Sequence, residues 1–188
     1  MAVYTSINKE TLSLFLNNYD IGFLENFEGI LEGVENTNYK IKTSYDLYIL
    51  TIFEKRINKN ELPFFIELQN HLSKKNFKCP HPVPDRNGQF INSMRNKPCV
   101  IMSFLSGQKI DKPNTHHCHQ IGELLANIHQ HTKDFNLKRD NSLHQSHWKN
   151  IFDKCLESQD NRFNELFDTI KDNETVTDEL TKLLKFDS

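Results

Sequence analysis

"CVIMSFLSG", residues 99–107, decides how this chain is divided. Cys99 to Leu105 is an apolar run, interrupted by Ser103 alone, too short for a typical helix, and Ser106-Gly107 stops it. Such a run, bounded by turn residues, reads as a buried β-strand. The segments upstream and downstream of it have different characters, so the strand end is also a boundary.

Upstream, residues 23–30, 38–43 and 47–53 are short, rich in β-branched and aromatic side chains, and separated by turn residues. Ser44-Tyr45-Asp46 joins the last two as a tight connection, which predicts three antiparallel strands. Residues 11–16 have helical spacing after Ser6 and Asn8, either of which suits an N-cap. Residues 61–77 return to helical period, with Leu62, Phe65, Ile66, Leu68 and Leu72 on one stripe and Pro63 tolerated in the first turn. "CPHPVPDRNGQFI", residues 79–91, is too proline-rich for helix, and its Asn87-Gly88 reads as a hairpin turn.

Downstream the strands stop. Residues 115–132 predict a long helix with Ile121, Leu124, Leu125 and Ile128 on one side, and Gly122 and Ala126 permitting close packing. Residues 148–156, 163–170 and 176–186 look helical as well. The fold class is therefore α+β in two lobes. Residues 1–105 should form one antiparallel sheet with the 61–77 helix packed on one face. Residues 106–188 form a helical lobe, with only helix or loop after Lys112.

Composition narrows the class. The 188 residues carry a formal charge of -2, which gives no electrostatic case for nucleic acid or an anionic membrane surface. The opening residues 1–15 lack a basic segment followed by a long apolar core, and no apolar run approaches the ~20 residues of a membrane span. Cys79, Cys99, Cys118 and Cys155 are widely spaced with no C-x-x-C pair, so free thiols in a reducing cytoplasm are expected. "HHCH" at residues 116–119 puts His116 and His119 on one side of a helix, but a fourth zinc ligand is missing and His129 lies more than two turns away. A solvated helix start is the simpler reading, and no metal is assigned there.

"EGVENTNYKI", residues 32–41, sets a glycine and small polar residues before a strand. That pattern is either a plain hairpin turn or a loop whose backbone approaches phosphates. Seven stretches bear on the choice: "GVENTNYKI", "YILTIFEKR", "ELPFFIELQNHL", "CPHPVPDRNG", "NKPCVIMSFLSG", "IGELLANIHQHT" and "RDNSL", in this order. Together they resemble bacterial homoserine kinases of the type related to aminoglycoside and choline kinases, over residues 5–148. The resemblance implies a protein-kinase-like fold: an antiparallel β-lobe with one helix, a hinge, and part of an α-helical second lobe. It also implies ATP and Mg²⁺ as cofactors and transfer of the γ-phosphoryl group to L-homoserine, a step of threonine biosynthesis.

Carried onto this chain, the resemblance places Gly29, Gly33, Asn36, Thr37 and Asn38 around the phosphates. Kinase-like folds put a cation on the third strand for the α- and β-phosphates. Here that position is Thr51, with Ile49 two residues earlier on the same face, against adenine. Threonine supplies no charge. Lys42, Lys55 or Arg56 are candidates to compensate, and Thr51 equally suits a plain half-buried strand. Glu67 sits on the helix whose glutamate normally pairs with that cation; it either orients metal-linked water or the phosphate loop, or is a solvated carboxylate. Adenine would be read by the Ser103 carbonyl and the Leu105 N–H, with Met102 packed beside it. His129 would support the catalytic segment from behind, and Arg139 with Asn141 would lie towards the acceptor.

The same resemblance calls for an H-x-D-x-x-x-x-N segment followed by an aspartate-led strand, which together hold Mg²⁺ and orient the acceptor hydroxyl. Neither occurs between residues 148 and 188, so no catalytic residue is assigned. The expectation is the nucleotide lobe and first substrate-lobe helices of a longer enzyme. Apolar helical faces between residues 121 and 186 would then be exposed and prone to self-association. Another small-molecule kinase, acting on choline or an aminoglycoside, and a non-catalytic nucleotide-binding module are the alternatives.

Overall fold

The computed structural model describes residues 3–32, 35–54, 60–141, 144–147 and 150. Helix α1 (Lys9–Leu16) starts at Asn8, whose side chain accepts the Thr11 N–H at 2.9 Å. Three strands come next, β1 (Leu24–Ile30), β2 (Thr37–Thr43) and β3 (Leu47–Ile52), then helix α2 (Leu62–Lys74) with Pro63 in its first turn. Helix α2 ends three residues before the expected position because Asn76, at φ 60°, takes the left-handed conformation. The Phe77 N–H then bonds the Leu72 carbonyl at 3.0 Å and the Asn76 N–H the Ser73 carbonyl at 2.9 Å, a Schellman stop. Strands β4 (Pro82–Val83), β5 (Asn92–Met94) and β6 (Lys97–Ser103) complete a six-stranded sheet, ahead of α3 (Thr115–His131).

The strands lie in the order β1-β2-β3-β6-β4, with β5 also on β6, and every pairing is antiparallel. Alternation then gives the sheet two apolar faces. Leu12 and Leu16 of α1 pack on Tyr39, Ile41, Leu50 and Ile101 on one side. Leu62 and Ile66 of α2 pack on Val100 and Met102 on the other. Ile41, Leu50 and Ile101 are completely buried, each contributing about 1.5–3 kcal/mol. The sheet and the one-sided seat of α2 agree with the sequence reading.

Two local readings need correction. Asn87-Gly88 does not turn a hairpin. It closes a four-residue turn from Asp85 to Gly88, in which the Asp85 carboxylate accepts the Asn87 and Gln89 N–H groups at 2.9 and 2.8 Å. That turn connects β4 to β5, which both pair with β6 and not with each other. The two-residue hairpin lies between β5 and β6, where Arg95 and Asn96 both have positive φ, 52° and 61°, as a mirror-image turn requires. The second correction concerns α3. Among the described residues a Cβ on Gly122 would meet nothing within 4 Å, so the close packing expected of it is not made there. Ile121, Leu124 and Leu125 are 56%, 42% and 51% exposed, as expected of an uncovered apolar face.

By compactness the chain forms two units, Met1–Arg139 and Asp140–Ser188. The first extends beyond the sheet because residues 131–139 return to α2. His71 Nε2 and Lys75 Nζ both donate to the His131 carbonyl at 2.9 Å, capping the C-terminal end of α3. Lys75 also pairs with Asp134, and Phe135 meets Phe64 edge-on with centroids 5.6 Å apart. In the second unit the described residues include one 3₁₀ turn, Gln145–His147. Among the described residues after Lys112 there is helix, turn and loop, and no described helix is long and apolar enough to cross a membrane. The helices expected at 148–156, 163–170 and 176–186 lie outside the described residues, apart from residue 150.

Candidate functional site

A cavity of about 690 Å³ opens on the α2 face of the sheet. Its floor comes from alternate residues of two paired strands: Ile49 opposite Met102, and Thr51 opposite Val100. Leu62, Phe65 and Ile66 of α2 form one wall, and residues 103–105 form the edge where β6 leaves the sheet. An apolar slot of this size with backbone polar groups at one rim suits a flat heteroaromatic base.

The rim is held in place. The Ser103 N–H donates to the His81 carbonyl at 2.9 Å, and the Ser103 hydroxyl accepts the His81 N–H at 3.0 Å. The Phe104 N–H bonds the Leu47 carbonyl at 3.2 Å. Among the described residues nothing accepts the Leu105 N–H, the donor the sequence reading assigned to adenine.

At the other end of the floor, the Thr51 hydroxyl donates to Asn38 Oδ1 at 2.8 Å, across the β2–β3 pairing. The Asn38 carbonyl oxygen is thereby engaged, which turns its NH₂ group outward as a donor. Asn38, Thr51 and Ile49 therefore share the cavity side of the sheet. Lys40 is on that side as well, opposite Ile49, its ammonium 3.7 Å from Glu28 and 5.2 Å from the Phe104 ring centroid. Sequence reading overlooked it, although its spacing of two from Asn38 was the signal. Lys42 shares the face but is 62% exposed and pairs with Glu25 at 2.9 Å, while Lys55 and Arg56 lie outside the described residues.

Two residues assigned to the phosphates point the other way. Gly29 pairs with Tyr39, and a Cβ there would lie 2.8 Å from Val3 Cγ2, on the α1 side of the sheet. Thr37 is fully buried on that same side, opposite Ile52. Its hydroxyl accepts the Tyr4 and Thr5 N–H groups at 2.9 and 3.0 Å and donates to Glu54 at 2.8 Å. One donor and two acceptors are all a hydroxyl has, so none is left for a ligand. Asn36 is half-buried in the turn before β2, and Gly33 lies outside the described residues.

Of the remaining candidates, Glu67 accepts from Asn70 at 3.3 Å and pairs with no cation among the described residues. Arg139 pairs with Glu61 and lies 5.0 Å over the Phe65 ring, against the cavity wall. Asn141 belongs to the second unit, and His129 is exposed on α3. His117 has a local task, its Nδ1 accepting the Asn114 N–H at 3.1 Å while Asn114 accepts the His117 N–H at 3.0 Å, a reciprocal cap for α3. Among the described residues no three of His, Cys, Asp and Glu gather as a metal site requires.

Residues 26–187 match the phosphotransferase enzyme family, APH. The chain belongs to that family. Within it, the chain is 42% identical over 160 residues to the homoserine kinase of Agrobacterium fabrum, covering 85% of this chain and 50% of that protein. It is 42% identical over 154 residues to the homoserine kinase of Rhizobium rhizogenes, covering 82% and 48%. The chain thus spans about half the length of the curated relatives it matches. Among solved structures it resembles spectinomycin phosphotransferase, crystallised with ADP and spectinomycin, with a TM-score of 0.67 at 12% identity over 97% of this chain and 60% of that one. At that identity the likeness is one of fold, and the fold is the kinase-like one expected.

Proposed function

We propose that this chain carries the nucleotide-holding part of an ATP-dependent homoserine kinase. The whole enzyme would move the γ-phosphoryl group of ATP to the hydroxyl of L-homoserine, giving O-phospho-L-homoserine in cytoplasmic threonine biosynthesis. The observation that carries this reading is the 42% identity to a homoserine kinase along 85% of the chain. The cavity supports it: adenine lies between Ile49, Val100 and Met102, read at the Leu105 N–H, and its phosphates extend past Thr51 towards the Asn38 amide. Phosphoryl transfer relies almost entirely on positioning and charge stabilisation. The described residues position the nucleotide. They do not fit Mg²⁺, since no acidic set is gathered among them, so the metal falls to residues elsewhere.

The 188 residues contain no H-x-D-x-x-x-x-N segment. Alone they should bind ATP weakly and leave homoserine untouched. A coupled ADP-release assay with Mg²⁺, ATP and a panel of alcohol acceptors tests both parts. Homoserine-dependent turnover by these 188 residues would mean the catalytic groups have been misassigned. With the protein extended by its downstream coding sequence, turnover of choline or an aminoglycoside in place of homoserine would replace the acceptor.

A further inference from the structure

Residues 3–5 touch both strands that flank the β1–β2 turn. Val3 fills the space that Gly29 leaves near the end of β1. Tyr4 and Thr5 give their N–H groups to the Thr37 hydroxyl at the start of β2, and the Tyr39 hydroxyl donates to the Thr5 carbonyl at 2.9 Å. The segment is itself anchored. The Thr5 hydroxyl donates to Glu54 at 2.7 Å and accepts from Lys97 at 2.7 Å, and Lys97 forms an ion pair with Glu54. No described side chain in the network is left with an unsatisfied buried polar atom.

All of this lies on the face of the sheet opposite the cavity. Thr37, saturated and buried, cannot touch a nucleotide, yet its chain neighbour Asn38 points to the cavity side and bonds Thr51 there. Consecutive strand residues share one backbone, so fixing Thr37 fixes the direction of the Asn38 amide.

We infer that residues 3–5 are a brace for the phosphate end of the nucleotide site, acting through Thr37 as a positioning residue. The inference rests on the nucleotide reading above. Without the brace the cavity and hinge remain, so a base still enters. What is lost is the fixed orientation of Asn38 and Thr51, which matters for phosphates alone. A purely structural role would weaken the binding of any occupant alike, or of none.

The test uses the 188-residue chain and two probes, ADP and adenosine, titrated against a fluorescent ADP analogue. Thr37→Val keeps the shape and removes the hydroxyl; Thr37→Ser keeps the hydroxyl. The expected result is ADP binding weakened about tenfold by Thr37→Val, the worth of one well-made charged contact, with adenosine unchanged and Thr37→Ser like the parent. Gly29→Ala displaces Val3 from the opposite flank and should reproduce the pattern, which keeps the inference testable if Thr37→Val does not fold. Equal loss of ADP and adenosine, or loss of neither, overturns the brace. Failure of the unaltered chain to bind either probe overturns the nucleotide reading itself, and the brace with it.

Discussion

Replacing Lys97 by Met removes the cation of the Thr5–Thr37–Glu54 network while keeping its apolar stem. The Glu54 side chain is 10% exposed and that of Lys97 36%. Breaking a fully buried pair costs about 3–5 kcal/mol, but Lys97 is partly solvated and Glu54 keeps two hydroxyl donors, which brings the expected loss to about 2 kcal/mol. Glu54→Gln keeps an acceptor for the hydroxyls and leaves Lys97 near water, for about 1 kcal/mol. Because the two groups act on each other, the double variant should lose less than the sum by about 1 kcal/mol. Acid dependence sharpens the test. Burial acts to raise the Glu54 carboxyl, but the hydrogen bonds from Lys97, Thr5 and Thr37 and the Lys97 charge outweigh it and hold it below its ordinary range. A depressed carboxyl stabilises the fold above its unfolded value and loses that contribution as pH falls through the folded one. The gap between parent and Lys97→Met should therefore be widest near neutral pH and close below about pH 4. Urea unfolding followed by circular dichroism measures it. A gap that stays constant with pH, or single losses that simply add, would refute this account of the network.

Other parts of the molecule give three further expected outcomes. Among the described cysteines a thiol reagent should modify exposed Cys118 first and Cys79, raised by burial, more slowly; buried Cys99, its thiol pushed up to about 12, should react only on unfolding, as peptide mass spectrometry would show. Ile49→Ala trims the cavity floor and should weaken ADP and adenosine by the same factor, about fivefold for roughly 1 kcal/mol of apolar contact, unlike the Thr37 variant. Lys75→Ala removes a donor from the α3 C-terminal carbonyl and should cost about 0.5–1 kcal/mol while speeding amide exchange at Thr132, with protection at Ile101 unchanged.

Much of the frame was legible in the residues because its causes are local. Asn8 caps α1, Pro63 opens α2, and the β-branched runs of β2, β3 and β6 are strands by composition. The break at residues 103–107, where the last strand ends ahead of α3, was visible for the same reason. The Arg95-Asn96 hairpin was not: neither residue is the glycine that usually marks such a turn, and the pairing of β5 with β6 imposes the positive φ.

The candidate site divides along the same line. Ile49, Thr51 and Met102 could be placed by a period of two once one strand was anchored to the hinge. The same period says that Thr37 and Asn38 cannot both face a nucleotide, and the sheet shows which one does. That choice depends on groups far apart in the chain: Lys97 reaches Thr5 across 92 positions, and Val3 packs where Gly29 has no side chain. Sequence by itself determined the main strands and helices, because propensity, capping and alternation act over a few residues, and the family showed only through the resemblance of seven stretches taken in order. Only the tertiary structure decided which polar residues are consumed in holding the sheet and which remain for a ligand, because a hydroxyl's three bonds are allotted by whatever the fold brings within 3 Å of it.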